Sequence, residues 1–113
     1  QEAAMPVILK KYLSSGYENY IIRAIGIFYA CDLVYTEELY LAYDQIRNPL
    51  ARSLACTLFG MRLCGVEAFL LKEYRESQFT RYGDGPLAGL YCAAGRLNTW
   101  LEERLREIQR TGV

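Results

Sequence analysis

The sequence predicts an all-α fold: a single-domain bundle of four to five helices spanning residues 1–113, with two nearly all-apolar central helices and an amphipathic C-terminal helix. Apolar residues make up 52% of the chain and recur at helical spacing. The β-branched content of residues 17–35 would also fit strands, but that segment has no strict apolar–polar alternation and no hairpin turn signal. The predicted helices have lengths that suit a bundle with short connections.

The N-terminal third predicts two helices. Residues 1–4 are set aside as a tag remnant or the end of a processed chain. Residues 5–14 form a short predicted helix with Pro6 in its first turn, ended by Ser14-Ser15-Gly16. Residues 17–35 are apolar on nearly every side, which indicates a central, buried helix.

The middle of the chain predicts two more helices. Thr36 followed by two glutamates is a good helix start, and that helix runs to about residue 47. Asn48 and Pro49 then open a long second core helix over residues 49–76. Small residues lie one turn apart in two of the predicted core helices and favour close helix packing; these are Gly26 with Ala30, and Cys56 with Gly60 and Cys64.

Residues 77–85 are predicted to be a loop, and Asp84-Gly85-Pro86 opens the last helix. Two glycines before a helix can expose amides to an anion, but the loop fits no phosphate-binding motif, and a turn with Asp84 as helix cap explains it. Beyond it lies the cleanest amphipathic pattern in the chain, with steps of three or four residues. Its apolar positions are Leu87, Leu90, Ala94, Leu97, Leu101, Leu105 and Ile108.

The composition argues against several classes of function. There are 13 basic and 13 acidic residues, and this balance disfavours a protein that wraps nucleic acid. The chain has no His, so the commonest general base and metal ligand is missing. No charge-free apolar stretch approaches the roughly 20 residues of a membrane span, and no signal peptide is recognised. We therefore expect a soluble, intracellular and cytoplasmic protein with no cofactor and no catalytic or metal site.

The four cysteines are expected to be free, buried thiols. Cys31, Cys56, Cys64 and Cys92 include no close pair of the kind that structural zinc sites use. All four fall inside predicted helices, where cysteine behaves as a small apolar residue. Disulfides are the alternative.

Charged residues inside the predicted core helices need partners or a route to water. Arg52 and Arg62 either reach solvent with their charged ends or join ion pairs between helices. A buried ion pair between Arg23 and Glu67 is the first such candidate.

The aromatic residues point to a partner. A domain this small cannot fully bury 15 aromatic rings, so some aromatic surface is expected. Tyr40 and Tyr43 are candidate interface residues near the predicted helix start at Thr36. The last helix is longer than the bundle needs, so its end is predicted to pack against another chain through Trp100, Leu101, Arg104, Leu105 and Ile108.

The expected function is that of a non-enzymatic interaction or assembly protein that forms a homo-oligomer or docks on a protein partner. The alternative is a nucleic-acid-associated subunit, such as a filamentous coat protein or a small ribonucleoprotein subunit. Its contacts would be Arg75, Arg81, Arg104 and Arg110. A small-ligand receptor or enzyme with a pocket between helices is the third class.

Overall fold

The fold is described from a computed structural model, which describes residues 11–111 except for four side chains, those of Leu97, Asn98, Trp100 and Leu101. The α-helices are α1 (Glu18–Ala30), α2 (Leu33–Leu41), α3 (Pro49–Arg62), α4 (Glu67–Ser77) and α5 (Asp84–Thr111), with one-turn 3₁₀ helices at Tyr43–Gln45 and Arg81–Gly83. No strand occurs in the described part of the chain, so the all-α fold is confirmed.

Seven helical elements in residues 18–111 exceed the predicted four to five. Part of the excess comes from the 3₁₀ turns, which are too short to leave a periodic pattern in the sequence. The predicted helix over residues 5–14 lies largely outside the described residues. Its last turn, residues 11–13, is helical, and the chain turns at Ser14 as expected.

Helix α1 is buried on one face only, so the predicted burial on nearly every side is wrong. Ile21, Ala24 and Phe28 lie in the core, while Ile22 and Tyr29 are each 53% exposed. The helix also ends at Ala30, because Cys31 and Asp32 adopt extended backbone angles that redirect the chain into α2.

Helix α2 begins at Leu33, so Thr36 is not the helix start that the sequence predicted. Thr36 is fully buried within α2, and its hydroxyl accepts a hydrogen bond from Arg62 Nη1 at 3.1 Å. The Thr36 hydroxyl therefore binds a side chain of another helix and does not cap the start of its own helix.

The predicted helix over residues 49–76 is two helices. Its start is confirmed, since Asn48 Oδ1 accepts hydrogen bonds from the amides of Leu50 (2.8 Å) and Ala51 (3.2 Å). The break follows Arg62, where Gly65 takes a φ of 75°, in the left-handed region that favours glycine. Helix α4 then folds back, so that Leu70 is completely buried in the core.

Helix α3 is the central element and packs against α1, α2, α4 and α5. It crosses α5 at close range, because a Cβ atom added to Gly60 would clash with the carbonyl oxygen of Gly89. At the same crossing, Ser53 Oγ accepts from the amide of Gly85 at 3.1 Å, and Thr57 Oγ1 donates to the Gly85 carbonyl at 2.9 Å. The predicted close packing at Gly60 is thus confirmed, whereas Gly26 has no neighbour within 4 Å of a Cβ position.

Helix α5 has 28 residues, which corresponds to a length of about 42 Å. Only its beginning is covered by other helices, and residues 102–111 are all exposed. The radius of gyration is 16.1 Å, against about 13 Å expected for a compact domain of this length. The predicted long C-terminal helix is confirmed, and in the described residues it reaches beyond its own core.

None of the helices in residues 11–111 combines the length and the apolar character that crossing a membrane requires.

Candidate functional site

Two opposite faces of α5 have different environments. The inner face lies against α3 and α4, where Gly85, Gly89 and Ala93 are buried. Arg96, on the same face, donates from Nη2 to the carbonyls of Gly60 and Leu63, which end α3. As far as Arg96, this face is therefore used within the chain.

The opposite face carries a row of exposed apolar residues, here called the outer stripe. Tyr91 is 74% exposed and Leu105 is 59% exposed. At about 100° per residue, the stripe's members fall within an arc of about 100° along the whole helix. They are Leu87, Tyr91, Ala94, Leu105 and Ile108.

Three of the predicted interface residues are described there. Leu105 and Ile108 lie on the outer stripe, as the sequence spacing suggested. Arg104 is beside it, and its Nη1 is 3.3 Å from Glu107 Oε2 in an exposed ion pair within the helix. The side chains of Trp100 and Leu101 lie outside the described ones.

A second apolar surface covers the solvent side of α1. Ile22 and Tyr29 are exposed on one edge of this side, Tyr20 and Ile27 on the other edge, and Tyr17 is exposed just before the helix. A groove of about 350 Å³ lies at the edge that carries Tyr20 and Ile27. It is lined by Tyr12, Tyr20, Arg23, Ala24 and Ile27. The expected aromatic surface is thus present, and four of its members (Tyr12, Tyr17, Tyr20 and Tyr29) lie on or just before α1.

Tyr40 and Tyr43, predicted at an interface, lie in or against the core instead. Tyr43 is 4% exposed, and its ring meets that of Phe69 edge-on with centroids 4.9 Å apart. Tyr40 is half-buried and packs edge-on against Phe59 and Phe69. Tyr40 near the end of α2 and Tyr43 in the 3₁₀ turn that follows both direct their rings toward Phe59 and Phe69, which the sequence order alone does not reveal.

A polar cluster that sequence reasoning missed surrounds Tyr43. The Tyr43 hydroxyl donates to Glu73 Oε1 at 2.5 Å and lies 3.5 Å from Cys56 Sγ. Arg52 pairs with the same carboxylate oxygen at 3.2 Å, and its guanidinium stacks over the Tyr43 ring at 4.4 Å. Side chains from α3, α4 and the first 3₁₀ turn meet here beside a cleft of about 260 Å³.

The electrostatics of this cluster favour a structural role. Burial and the hydrogen bond to Glu73 raise the pKa of Tyr43 far above its usual value. Burial also raises the pKa of the Cys56 thiol to about 11, against a smaller lowering by the Tyr43 hydrogen bond. Both groups hold their protons at neutral pH, so neither supplies a base or a thiolate nucleophile.

The candidate ion pair between Arg23 and Glu67 does not form, since both side chains are exposed and the ion pairs of the described residues involve other partners. Arg52 does form an ion pair between helices, with Glu73, and both Arg52 and Arg62 also donate to backbone carbonyls. Arg62 Nη1 donates to the carbonyls of Phe28 (2.9 Å) and Cys31 (2.8 Å) at the end of α1.

The four candidate nucleic-acid contacts are exposed and belong to three elements. Arg75 is on α4, Arg81 on the second 3₁₀ turn, and Arg104 and Arg110 on α5. Arg81 is 3.0 Å from Glu18 and stacks on Tyr82, and Arg104 pairs with Glu107. Two of the four arginines, Arg81 and Arg104, are therefore already paired with carboxylates.

The glycine-containing loop before α5 leaves little room for an anion. The amide of Gly83 donates to the Thr80 carbonyl, and the amide of Gly85 donates to Ser53 Oγ. The capping side chain here is that of Thr80, which accepts from the Tyr82 amide at 3.2 Å, while Asp84 is the first residue of α5.

All four cysteines are free, as expected, but their burial differs. Cys56 is buried, Cys31 and Cys92 are half-buried, and Cys64 is exposed in the turn after α3. Within residues 11–111, no group of three or more Cys, Asp or Glu side chains is close enough to hold a metal ion.

Comparison of the chain with protein family models, with curated proteins and with solved structures gives no match.

Proposed function

We propose that the chain is a non-enzymatic helical interaction or assembly protein that binds another protein through the outer stripe of α5. The observation that carries this proposal is the exposure of Leu105 and Ile108 on a helix that extends past its own core. Fully burying one such side chain contributes about 1.5–3 kcal/mol, so the stripe holds a substantial driving force for association.

Helix stability supports the same proposal. Isolated helices shorter than about 12–15 residues are marginal in water, because most helical stability in proteins comes from packing an apolar face. Residues 102–111 have no packing of this kind within the described chain, yet they keep an apolar pair in line with Leu87 and Tyr91. A protein partner on the outer stripe would supply the missing packing.

Nucleic-acid association is the less supported alternative. The formal net charge is zero, and Arg81 and Arg104 already have carboxylate partners. Phosphate binding requires cations that are free to replace counterions. Light scattering on protein purified with and without nuclease treatment separates this alternative from protein–protein association.

The test of the proposal replaces Leu105 by Asp. We expect the wild-type protein to be oligomeric by light scattering and Leu105→Asp to be a folded, helical monomer, because the charge falls in the contact and not in the core. Leu41→Asp is the matched control, since Leu41 is 85% exposed on α2, away from α5, and should leave the mass unchanged.

Two results would contradict the proposal. In the first, the wild-type protein stays monomeric at high concentration while Leu105→Asp unfolds, which would place Leu105 in the chain's own core. In the second, Leu105→Asp keeps the wild-type mass, which would place the contact elsewhere.

A further inference from the structure

Resting on the proposed function, we infer that the partner of the outer stripe is a second copy of this chain, with the two α5 helices paired antiparallel. The C-terminal half of each α5 (residues 97–111) would lie on the outer stripe of the other copy's N-terminal half (residues 84–96). The assembly is then a two-fold dimer in which the same surface is used on both copies.

The register of the stripe indicates a helix as the partner. Leu87, Tyr91 and Ala94 are separated by four and three residues, and Leu105 and Ile108 continue the same four-three register farther along. A seven-residue apolar repeat keeps one seam facing another helix over several turns, which is the pattern of a coiled coil. The inner face of the N-terminal part of α5 is already occupied by α3 and α4, and the outer stripe remains exposed to another chain.

The sizes of the side chains favour the antiparallel arrangement. The N-terminal half carries small residues on and beside the stripe, namely Ala88, Ala94 and Gly95, whereas the C-terminal half carries Leu105 and Ile108. Antiparallel pairing places Ala94 against Leu105 of the second copy, and Tyr91 against its Ile108. Parallel pairing would set small against small and large against large, which packs less well.

Gly95, next to the stripe, is compatible with a close neighbour. It lies within α5, is exposed, and has nothing within 4 Å of a Cβ position. A glycine inside a helix costs about 0.5–1 kcal/mol relative to alanine, and no described neighbour within the chain requires a glycine there. A helix of a second copy that crosses at Gly95 would pack close to the backbone, because glycine has no side chain to hold it away.

Charge is compatible with a second copy of the chain. From Gly85 to Gly95 the helix carries no charged residue, while residues 102–110 carry three acidic and three basic ones. Antiparallel pairing therefore places the charged residues of one helix mainly beside the uncharged stretch from Gly85 to Gly95 of the other, which avoids opposing like charges along that stretch. With zero net charge, the two copies do not repel each other as whole molecules.

Engineered disulfides test the arrangement in the full chain. Starting from Cys64→Ser, which removes the exposed thiol, Ala94→Cys and Leu105→Cys are made singly, and all proteins are checked for helix content. A disulfide requires Cα atoms within about 7 Å. Under mild oxidation at micromolar concentration, we expect a covalent dimer from a mixture of the two single variants, and none from either variant alone or from Cys64→Ser.

The outcomes separate this inference from the proposed function. If Leu105→Cys alone forms the covalent dimer, the helices run parallel and the inference is overturned, while association through the outer stripe stands. If the protein is a dimer in light scattering but no variant or mixture cross-links, the arrangement is wrong. A monomeric wild-type protein overturns the inference as well, because no second copy is bound.

Discussion

At the scale of single residues, the arginines in the apolar helices bind backbone carbonyls as well as carboxylates. Arg62 reaches two carbonyls at the end of α1, Arg96 reaches two at the end of α3, and Arg52 donates to the Ile46 carbonyl at 3.1 Å. The last carbonyls of a helix have no hydrogen-bond donor within the helix and lie at the negative end of its dipole. An arginine side chain donates hydrogen bonds to these carbonyls and places a positive charge beside them.

Sequence reasoning found that Arg52 and Arg62 needed partners but not which partners. Their carbonyl acceptors lie 6 to 34 residues away in the chain, and a carbonyl is present at every residue. The same limit hid the contact of Tyr43 with Glu73, 30 residues apart. Only packing selects among so many equivalent acceptors.

The cysteines provide a test at the same scale. Alkylation requires a thiolate that the reagent can reach. Cys64 is exposed, whereas Cys56 is buried with its pKa raised to about 11. At pH 8 we expect Cys64 to be alkylated first and Cys56 last, with Cys31 and Cys92 between them, as followed by mass spectrometry.

Labelling of denatured, unreduced protein is the control, and all four thiols should then react. Equal rates at Cys56 and Cys64 in the native protein would show that α3 opens faster than its burial implies. Fewer than four reactive thiols after denaturation would reveal a disulfide.

At the scale of helices, the close crossing of α3 and α5 depends on glycine. Gly60 sits where an added Cβ would clash with the Gly89 backbone, while Gly26 in α1 has open space around its Cβ position. We expect Gly60→Ala to lower the free energy of unfolding by about 1–3 kcal/mol, as overpacking does. Gly26→Ala should raise it by about 0.5–1 kcal/mol through helix propensity.

Urea unfolding of both variants measures this difference, and each is the other's control because the chemical change is the same. If Gly60→Ala were neutral or stabilising, the helices would have room to separate, and the crossing would not determine how α5 is placed.

Helix types were easier to predict than helix boundaries. Helical spacing continues across the break at Gly65 because α4 returns to the same core, so periodicity alone indicated one long helix. Gly65 itself was the available signal for the break. Helix α1 was assigned correctly as a helix, but its apolar residues face both the core and the solvent, and a sequence does not distinguish these environments.

In the molecule as a whole, the C-terminal part of α5 extends beyond the core. The inner face of its N-terminal part helps to form that core. The sequence predicted this extension because the apolar steps of α5 continue for more turns than a bundle of this length covers. The exposure of the outer stripe is harder to predict, since an exposed leucine and a buried one look alike in the sequence. The distinction appears only once the inner face of α5 is seen to be occupied by α3 and α4.

The extension of α5 leads to a prediction about concentration. If residues 102–111 are held in a helix by a partner, their amides should exchange slowly with solvent when the protein is concentrated and quickly when it is dilute. Dimer formation stabilises the bound state by mass action, so each tenfold dilution weakens the contribution of the contact by about 1.4 kcal/mol. Hydrogen-exchange mass spectrometry at two concentrations measures this directly.

The amides of α3 provide the internal reference, because their protection comes from packing within one chain, where Ala55, Leu58 and Phe59 are buried. Their exchange should respond much less to dilution than that of residues 102–111. Leu105→Asp should show fast exchange over residues 102–111 at both concentrations, with α3 still protected. Protection of residues 102–111 that ignores both dilution and Leu105→Asp would mean that the end of α5 is stable by itself, and its helical form would then no longer argue for a partner.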